Sequence, residues 1–266
     1  MDRANIMRRR SFWTPFTALA ILAGCSDLAG PDAAGFPLIV EVDIPVAQQQ
    51  VYEEDAVRLA IRELRQSGSR ARHDVEPPAA LVQGLFNSLA AVYATSHAAR
   101  DSVVEIFGIR TFPYPATREI MVRVNPSHSW TQAWREKNAL TGNAAVDALV
   151  TQYGLTVREY YLWSIGDVAL LRSARPLNAA ALAQRFEALA GVVWAEENGA
   201  MGDGNDIRAS RHGDGWRLDY SVGFGDCPAG CIDRHTWSFA VAADGGVTFL
   251  GASGPPVPPP YSAGSP

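Results

Sequence analysis

Four residues near the end of the chain have side chains able to move protons. Asp226, Asp233 and His235 bracket the run Gly225-Asp226-Cys227-Pro228-Ala229-Gly230-Cys231-Ile232, and His212 sits in the hairpin before it. A carboxylate and an imidazole held by a short covalent ring suit acid/base work, because histidine titrates near neutrality and an acid can orient it. Such a group would make the protein a hydrolase with its site near Asp226 and His235. The plainer expectation is that Asp226 bonds the amides of its own loop and that His235 lies on a strand face. His73, His97 and His128 are isolated in sequence and read as surface or turn residues.

The two cysteines of the run carry a different chemistry. With Pro228 and Gly230 bending the three-residue spacer, Cys227 and Cys231 fall within disulfide reach. On the loop-entropy model so small a ring stabilises by only about 2 kcal/mol, which suits the pinning of one loop. Zinc would need further ligands, and a redox pair has one residue fewer between its cysteines, so a structural disulfide is the better reading.

Other groups were weighed for binding. Trp130 and Trp134, four apart, could stack on a sugar or a peptide, but aromatic pairs at helical spacing more often fill a core. Asp203, Asn205 and Asp206 carry calcium-type oxygens without the alternating ligands and distant glutamate of an EF-hand, so they read as a turn-forming linker. Lys137 is the only lysine, so Schiff-base chemistry would have to use it. No His-Glu-x-x-His, Gly-x-Ser-x-Gly, phosphate loop or dinucleotide fingerprint is present, and no metal or cofactor is implied.

The start of the chain shows an Arg8-Arg9-Arg10 cluster, an apolar run from Phe12 to Ala23, and Leu22-Ala23-Gly24-Cys25. This is the three-zone order of a secretory signal, and its apolar run is too short for a spanning helix. Translation could start at Met1 or Met7. The run resembles the lipobox of bacterial lipoproteins, and the resemblance implies cleavage before Cys25 and a lipid on its thiol. Ser26 after the cysteine resembles the lipoproteins that Gram-negative cells sort to the outer membrane. A cell-envelope location outside the cytoplasm, with the membrane as a partner through that lipid, is the expectation.

The chain has a net charge of −5, and removing residues 1–24, with Arg3, Arg8, Arg9 and Arg10 against Asp2, makes it more acidic. An acidic surface repels phosphate backbones, so nucleic acid is not an expected partner. A non-cytoplasmic address also favours pairing of Cys227 with Cys231.

Positioning these residues falls to elements legible in the apolar spacing. A tether at 25–37 precedes a mainly helical region at 38–117, in which Leu38 to Val42 reads as a strand. There Tyr52, Ala56, Leu59, Ala60 and Leu64 mark one helix, with Glu54 and Arg58 as an exposed i,i+4 pair. Leu81, Leu85, Leu89, Val92 and Tyr93 mark another, opened by Pro77-Pro78. Across 118–198 the order is β-α-β-β-α-β, with Asn143 and Asn178 as helix caps and Gly154 and Gly191 as stops. That is a split βαβ, or ferredoxin-like, unit. A β-meander at 199–252 and a Pro-rich tail at 253–266, extended and mobile, complete an α+β chain.

The run Gly191-Val192-Val193-Trp194-Ala195-Glu196-Glu197-Asn198 resembles the last strand of subtilase propeptides, which share the ferredoxin-like fold. It departs from that pattern at Trp194 and Glu197, and no protease motif follows. The resemblance implies a fold whose sheet face lies on a protease and whose final strand leads to its cleft, so inhibition of a partner protease is a further alternative. The chain also resembles uncharacterised secreted bacterial proteins carrying Gly-Asp-Cys-Pro-x-Gly-Cys-Ile. The favoured reading is a lipid-anchored envelope protein without catalysis, binding another protein or stabilising a surface structure.

Overall fold

The computed structural model describes residues 35–164 and 166–259. Cys25, the signal segment and the end of the proline-rich tail lie outside the described residues. The fold is α+β: helices, then a split βαβ unit, then a meander.

Helix α1, Val46–Gln66, buries Tyr52, Ala56, Leu59, Ala60 and Leu64 along one stripe, as their spacing requires. Glu54 and Arg58 pair at 2.8 Å, but the pair is not on an exposed face: Arg58 is 5% exposed. Residues 111–117, remote in sequence, close over its guanidinium, which no local pattern could announce.

Helix α2, Ala79–Ala94, fully buries Leu81, Leu85, Leu89 and Val92. At Gly84 a Cβ would run into the Pro37 carbonyl, so the chain from residue 35 lies directly on this helix. The strand expected at Leu38 to Val42 does not form. Asn87 of α2 donates to the Ile39 carbonyl at 2.6 Å, and the Val40 amide donates to Ala243 O at 3.1 Å, so the segment is tied down without a ladder. A short helix α3, Ala98–Arg100, then runs into a π-type turn over Asp101–Ile106 that apolar spacing does not reveal.

The split βαβ unit holds β1 (Glu119–Val124), β2 (Leu155–Trp163), β3 (Gly166–Ser173) and β4 (Val192–Glu197). They form an all-antiparallel sheet in the order β2-β3-β1-β4. Between β1 and β2 lie the short α4, Thr131–Arg135, and α5, Ala144–Tyr153; α6, Ala179–Glu187, joins β3 to β4. Asn143 Oδ1 accepts from the Ala145 and Val146 amides, and Gly154 at φ +59° ends α5, so the expected cap and stop both hold.

The meander runs β5 (Asp206–His212), β6 (Gly215–Phe224), β7 (Asp233–Val241) and β8 (Val247–Ser253), each antiparallel to the next. Its inner face does not close on itself. Trp216, Leu218, Tyr220 and Val222 of β6 share one core with Leu59, Leu85 and Leu89 of α1 and α2. A second core sets Ile120, Val122, Ala169 and Leu171 against Trp134, Val150 and Phe186. Each such large side chain, once buried, contributes about 1.5–3 kcal/mol. The two ends of the chain are thus bound by one core, with the split βαβ unit inserted between them.

Candidate functional site

The loop expected to carry chemistry is held from outside itself. Cys227 and Cys231 have their sulfurs at bonding distance and their Cα atoms 3.9 Å apart. Asp226 begins the turn Cys227–Ala229 without capping it and is exposed. The amide-binding part expected of Asp226 falls to Asp203. Its Oδ2 accepts from the Cys231 amide at 3.2 Å, and its Oδ1 accepts from the Gly204 amide at 2.7 Å and from Arg234 Nη2 at 2.6 Å. Burial works against the charge of Asp203, but Arg234 and the two amides outweigh it and hold the carboxyl below the usual range. A residue expected in a linker is therefore the clamp of the cysteine loop.

His235 sits on the inner face of β7, as a strand-face residue would, with Nδ1 2.9 Å from the Pro255 carbonyl and its ring against Trp237. That contact docks the start of the tail expected to be mobile, and Val257 packs on the first core. His212 pairs with Gly215 at the other end of β6 from Phe224 and Asp233, roughly 30 Å away at about 3.4 Å per residue. It cannot join an acid/base group at the cysteine loop. Neither principal cavity is lined by any of the four residues.

The other binding candidates are also spent on the fold. Trp130 and Trp134 are 7% and 0% exposed, meet edge to face at 5.1 Å, and bury against Phe186 rather than offering a platform. Asp206 is buried and accepts from Arg62 at 2.8 Å and the Phe112 amide at 2.8 Å. Lys137 Nζ donates to Arg158 O and to Glu159. Among the described residues no group of three His, Cys, Asp or Glu side chains could hold a metal.

What the sequence reading missed is a row of arginines on α1. Arg62 donates to Asp206, Ile207 O, Phe112 O and Tyr114 O. Arg65 reaches Glu197 at 3.3 Å, whose other oxygen takes the Ala116 amide at 2.7 Å. Asp55, fully buried, accepts from Arg110 Nε and from the hydroxyl and amide of Thr111. A cavity of about 540 Å³ lies beside Arg62, lined also by Phe112, Tyr114 and Arg208, but the donors of Arg62 are already taken by the chain itself. The spacing of Arg58, Arg62 and Arg65 is legible, and so is the Glu54 partner of Arg58; the other partners, 50 or more residues away, are not.

The outer faces of the two sheets differ sharply. By register, the meander turns Arg208, Ser210, Arg217, Asp219, Thr236 and Ser238 outward. Three of these bond one another: Arg217 Nε donates to Asp219 at 2.9 Å, Arg217 Nη2 to Ser238 Oγ at 3.0 Å, and Ser238 Oγ to Asp219 at 2.6 Å. The split βαβ sheet turns Met121, Arg123, Tyr161 and Trp194 outward instead, over Val168 and Leu170, which are buried beneath them. None of these belongs to either core. Gly166, with φ +128°, leaves room for the Arg123 guanidinium, whose Nε is buried and makes no hydrogen bond among the described residues. Glu196, beside Met121 across β4 and β1, is exposed.

Comparison of the chain with protein-family models, with curated proteins and with solved structures gives no match. The fold and the faces themselves define the class: an α+β protein with a helix-covered meander and a split βαβ sheet that helices cover on one side. Among the described residues no helix is long and apolar enough to cross a membrane.

Proposed function

We propose that this is a lipid-anchored cell-envelope protein without catalytic activity, whose split βαβ sheet docks another envelope protein on its outer face. One observation carries the docking reading: on the outer face the apolar and aromatic side chains of Met121, Tyr161 and Trp194 stay partly open to solvent beside the Arg123 and Glu196 charges. An apolar and aromatic patch rimmed by charge is the make-up of a protein contact surface. The anchoring reading is carried by the three-zone segment that ends at Cys25.

The hydrolase alternative is weakened because His212 lies at the far end of β6 from Asp226, Asp233 and His235 and because neither cavity is lined by any of the four. Inhibition of a protease is weakened by the exit of β4, where the Asn198 amide bonds Glu119 O at 2.9 Å and Glu197 is held by Arg65 and Ala116, so the strand does not end in a free tail. The test has two arms. Labelling with radioactive palmitate should mark the wild type and not Cys25→Ala; equal labelling would refute the anchor. A hydrolase screen should find no turnover that Asp226→Asn or His235→Ala abolishes in folded protein, and turnover of that kind would restore the enzyme reading.

A further inference from the structure

The hairpin joining β2 to β3 is apolar on both of its faces at its free end. Register places Tyr161 and Trp163 on the outer face, opposite Val168 and Gly166, and Leu162 on the helix-covered side, opposite Asp167. Yet Tyr161, Leu162 and Trp163 are 39%, 60% and 44% exposed. Strand alternation normally hides one face, as it does earlier in β2, where Leu155 and Val157 are buried and Thr156 is not. Past Tyr160 the helices no longer cover the inner face, and β1 ends at Val124, the partner of Asp167. The Trp163 and Gly166 pair lies beyond the last residue of β1.

The end of the hairpin is also built to hold its shape. Tyr161 and Trp163 stack at 5.7 Å with planes 26° apart, and the Tyr160 hydroxyl donates to Asp167 at 2.8 Å across its base. A flat protein surface can cover one side of such a hairpin and leave the other wet. A fluid apolar medium covers both together. Tryptophan and tyrosine favour the membrane interface, where the ring is immersed and its polar atom stays hydrated.

The membrane would be close. Gly35 lies ten positions after Cys25, so even a fully extended tether spans at most about 36 Å. A lipid surface would thus be held near the domain at high effective concentration. Charges at the hairpin base do not decide the matter: Lys137 is paired with Glu159 and Arg158 with Glu119. Immersion should therefore rest on the apolar tip more than on anionic headgroups.

We infer that the Tyr161-Leu162-Trp163 end of the hairpin dips into the lipid interface as a second membrane contact. The inference rests on the anchored reading above, but it can fail separately. The full chain carrying Ser164→Cys, labelled there with the environment-sensitive dye NBD, is placed in phosphatidylethanolamine/phosphatidylglycerol vesicles, and the mass of the Cys25 peptide reports the anchor independently. A dye at Ser210→Cys, on the polar face of the meander, is the control. The expected result is a blue-shifted emission at position 164, quenched by doxyl lipid, with neither change at 210. Adding Leu162→Asp and Trp163→Asp should abolish the shift while the circular dichroism stays that of the wild type.

Water-like, unquenched emission at 164 in lipidated protein would overturn the inference and leave a cleft in a protein partner as the cover for the tip. If Cys25 proves unlipidated, the same dye at excess vesicles still decides: a shift supports the contact, and its absence sinks it.

Discussion

The two sheets have the same strand number, the same antiparallel pairing and a helical layer on one face, yet their other faces are finished in opposite ways. The meander ends in a polar lattice in which Arg217, Asp219 and Ser238 are bonded to one another. The split βαβ sheet ends in Met121, Tyr161 and Trp194, partly open to solvent around Arg123. Fold alone therefore does not mark a binding surface. The marker is what the solvent face is made of: linked polar side chains on one sheet, apolar and aromatic ones on the other.

The same contrast separates individual arginines, and it orders the expected effects. Arg62→Met should be the most damaging change, since it takes from the buried Asp206 the shorter of its two arginine contacts and removes the guanidinium that binds the Phe112, Tyr114 and Ile207 carbonyls. A loss of about 3–5 kcal/mol in urea unfolding is expected. A cost below 1 kcal/mol would mean that the α1 row does not hold the fold. Asp219→Ala should cost less, about 1–2 kcal/mol, by removing the shared acceptor of Arg217 Nε and the Ser238 hydroxyl on a half-open face.

Acid should act through the satisfied carboxylates. Burial tends to raise Glu54, but Arg118, Arg58 and Thr117 outweigh it, and Asp203 is lowered in the same way by Arg234 and two amides. Both folded-state values lie below the unfolded ones. The stability they contribute is therefore complete above the ordinary carboxylate range and is lost as pH falls through the lower folded values, below about pH 4. Urea midpoints followed from pH 7 downward should stay level and then drop, and Asp203→Asn should remove part of the drop. A decline beginning near neutrality would point to other groups.

Arg123→Met should have the smallest effect on folding, within about 0.5 kcal/mol and with stabilisation as readily as loss, because no internal bond is broken. Thermal melts of the two arginine variants side by side would show whether satisfied and unsatisfied cations differ as described.

The elements were legible where side-chain period and capping agree. The helix under Tyr52, Ala56 and Leu59, the Asn143 cap with its Gly154 stop, and the β-α-β-β-α-β order all follow from local chemistry. Legibility failed where a residue's partner is distant. Arg58 looked like half of a surface pair because residues 111–117 cannot be foreseen from α1, and Asp203 looked like linker because Arg234 and Cys231 reach it through the meander. Leu38 to Val42 has strand composition, but Asn87 takes the Ile39 carbonyl. The open face was hidden for another reason: Trp194 and Tyr161 have the side chains of core strands, and only register shows them facing away from the helices.

The central claim is that the outer face of the split βαβ sheet, and not that of the meander, meets a second protein. A photo-crosslinking side chain placed in living cells at Met121, Trp194 or Glu196, and separately at Arg208, Arg217 or Thr236, tests it directly. Discrete protein adducts from the first three positions, lost when Arg123→Glu is added, with none from the second three, are the result this account predicts. Adducts from the meander positions alone, or equal adducts from both faces that ignore Arg123→Glu, would contradict it.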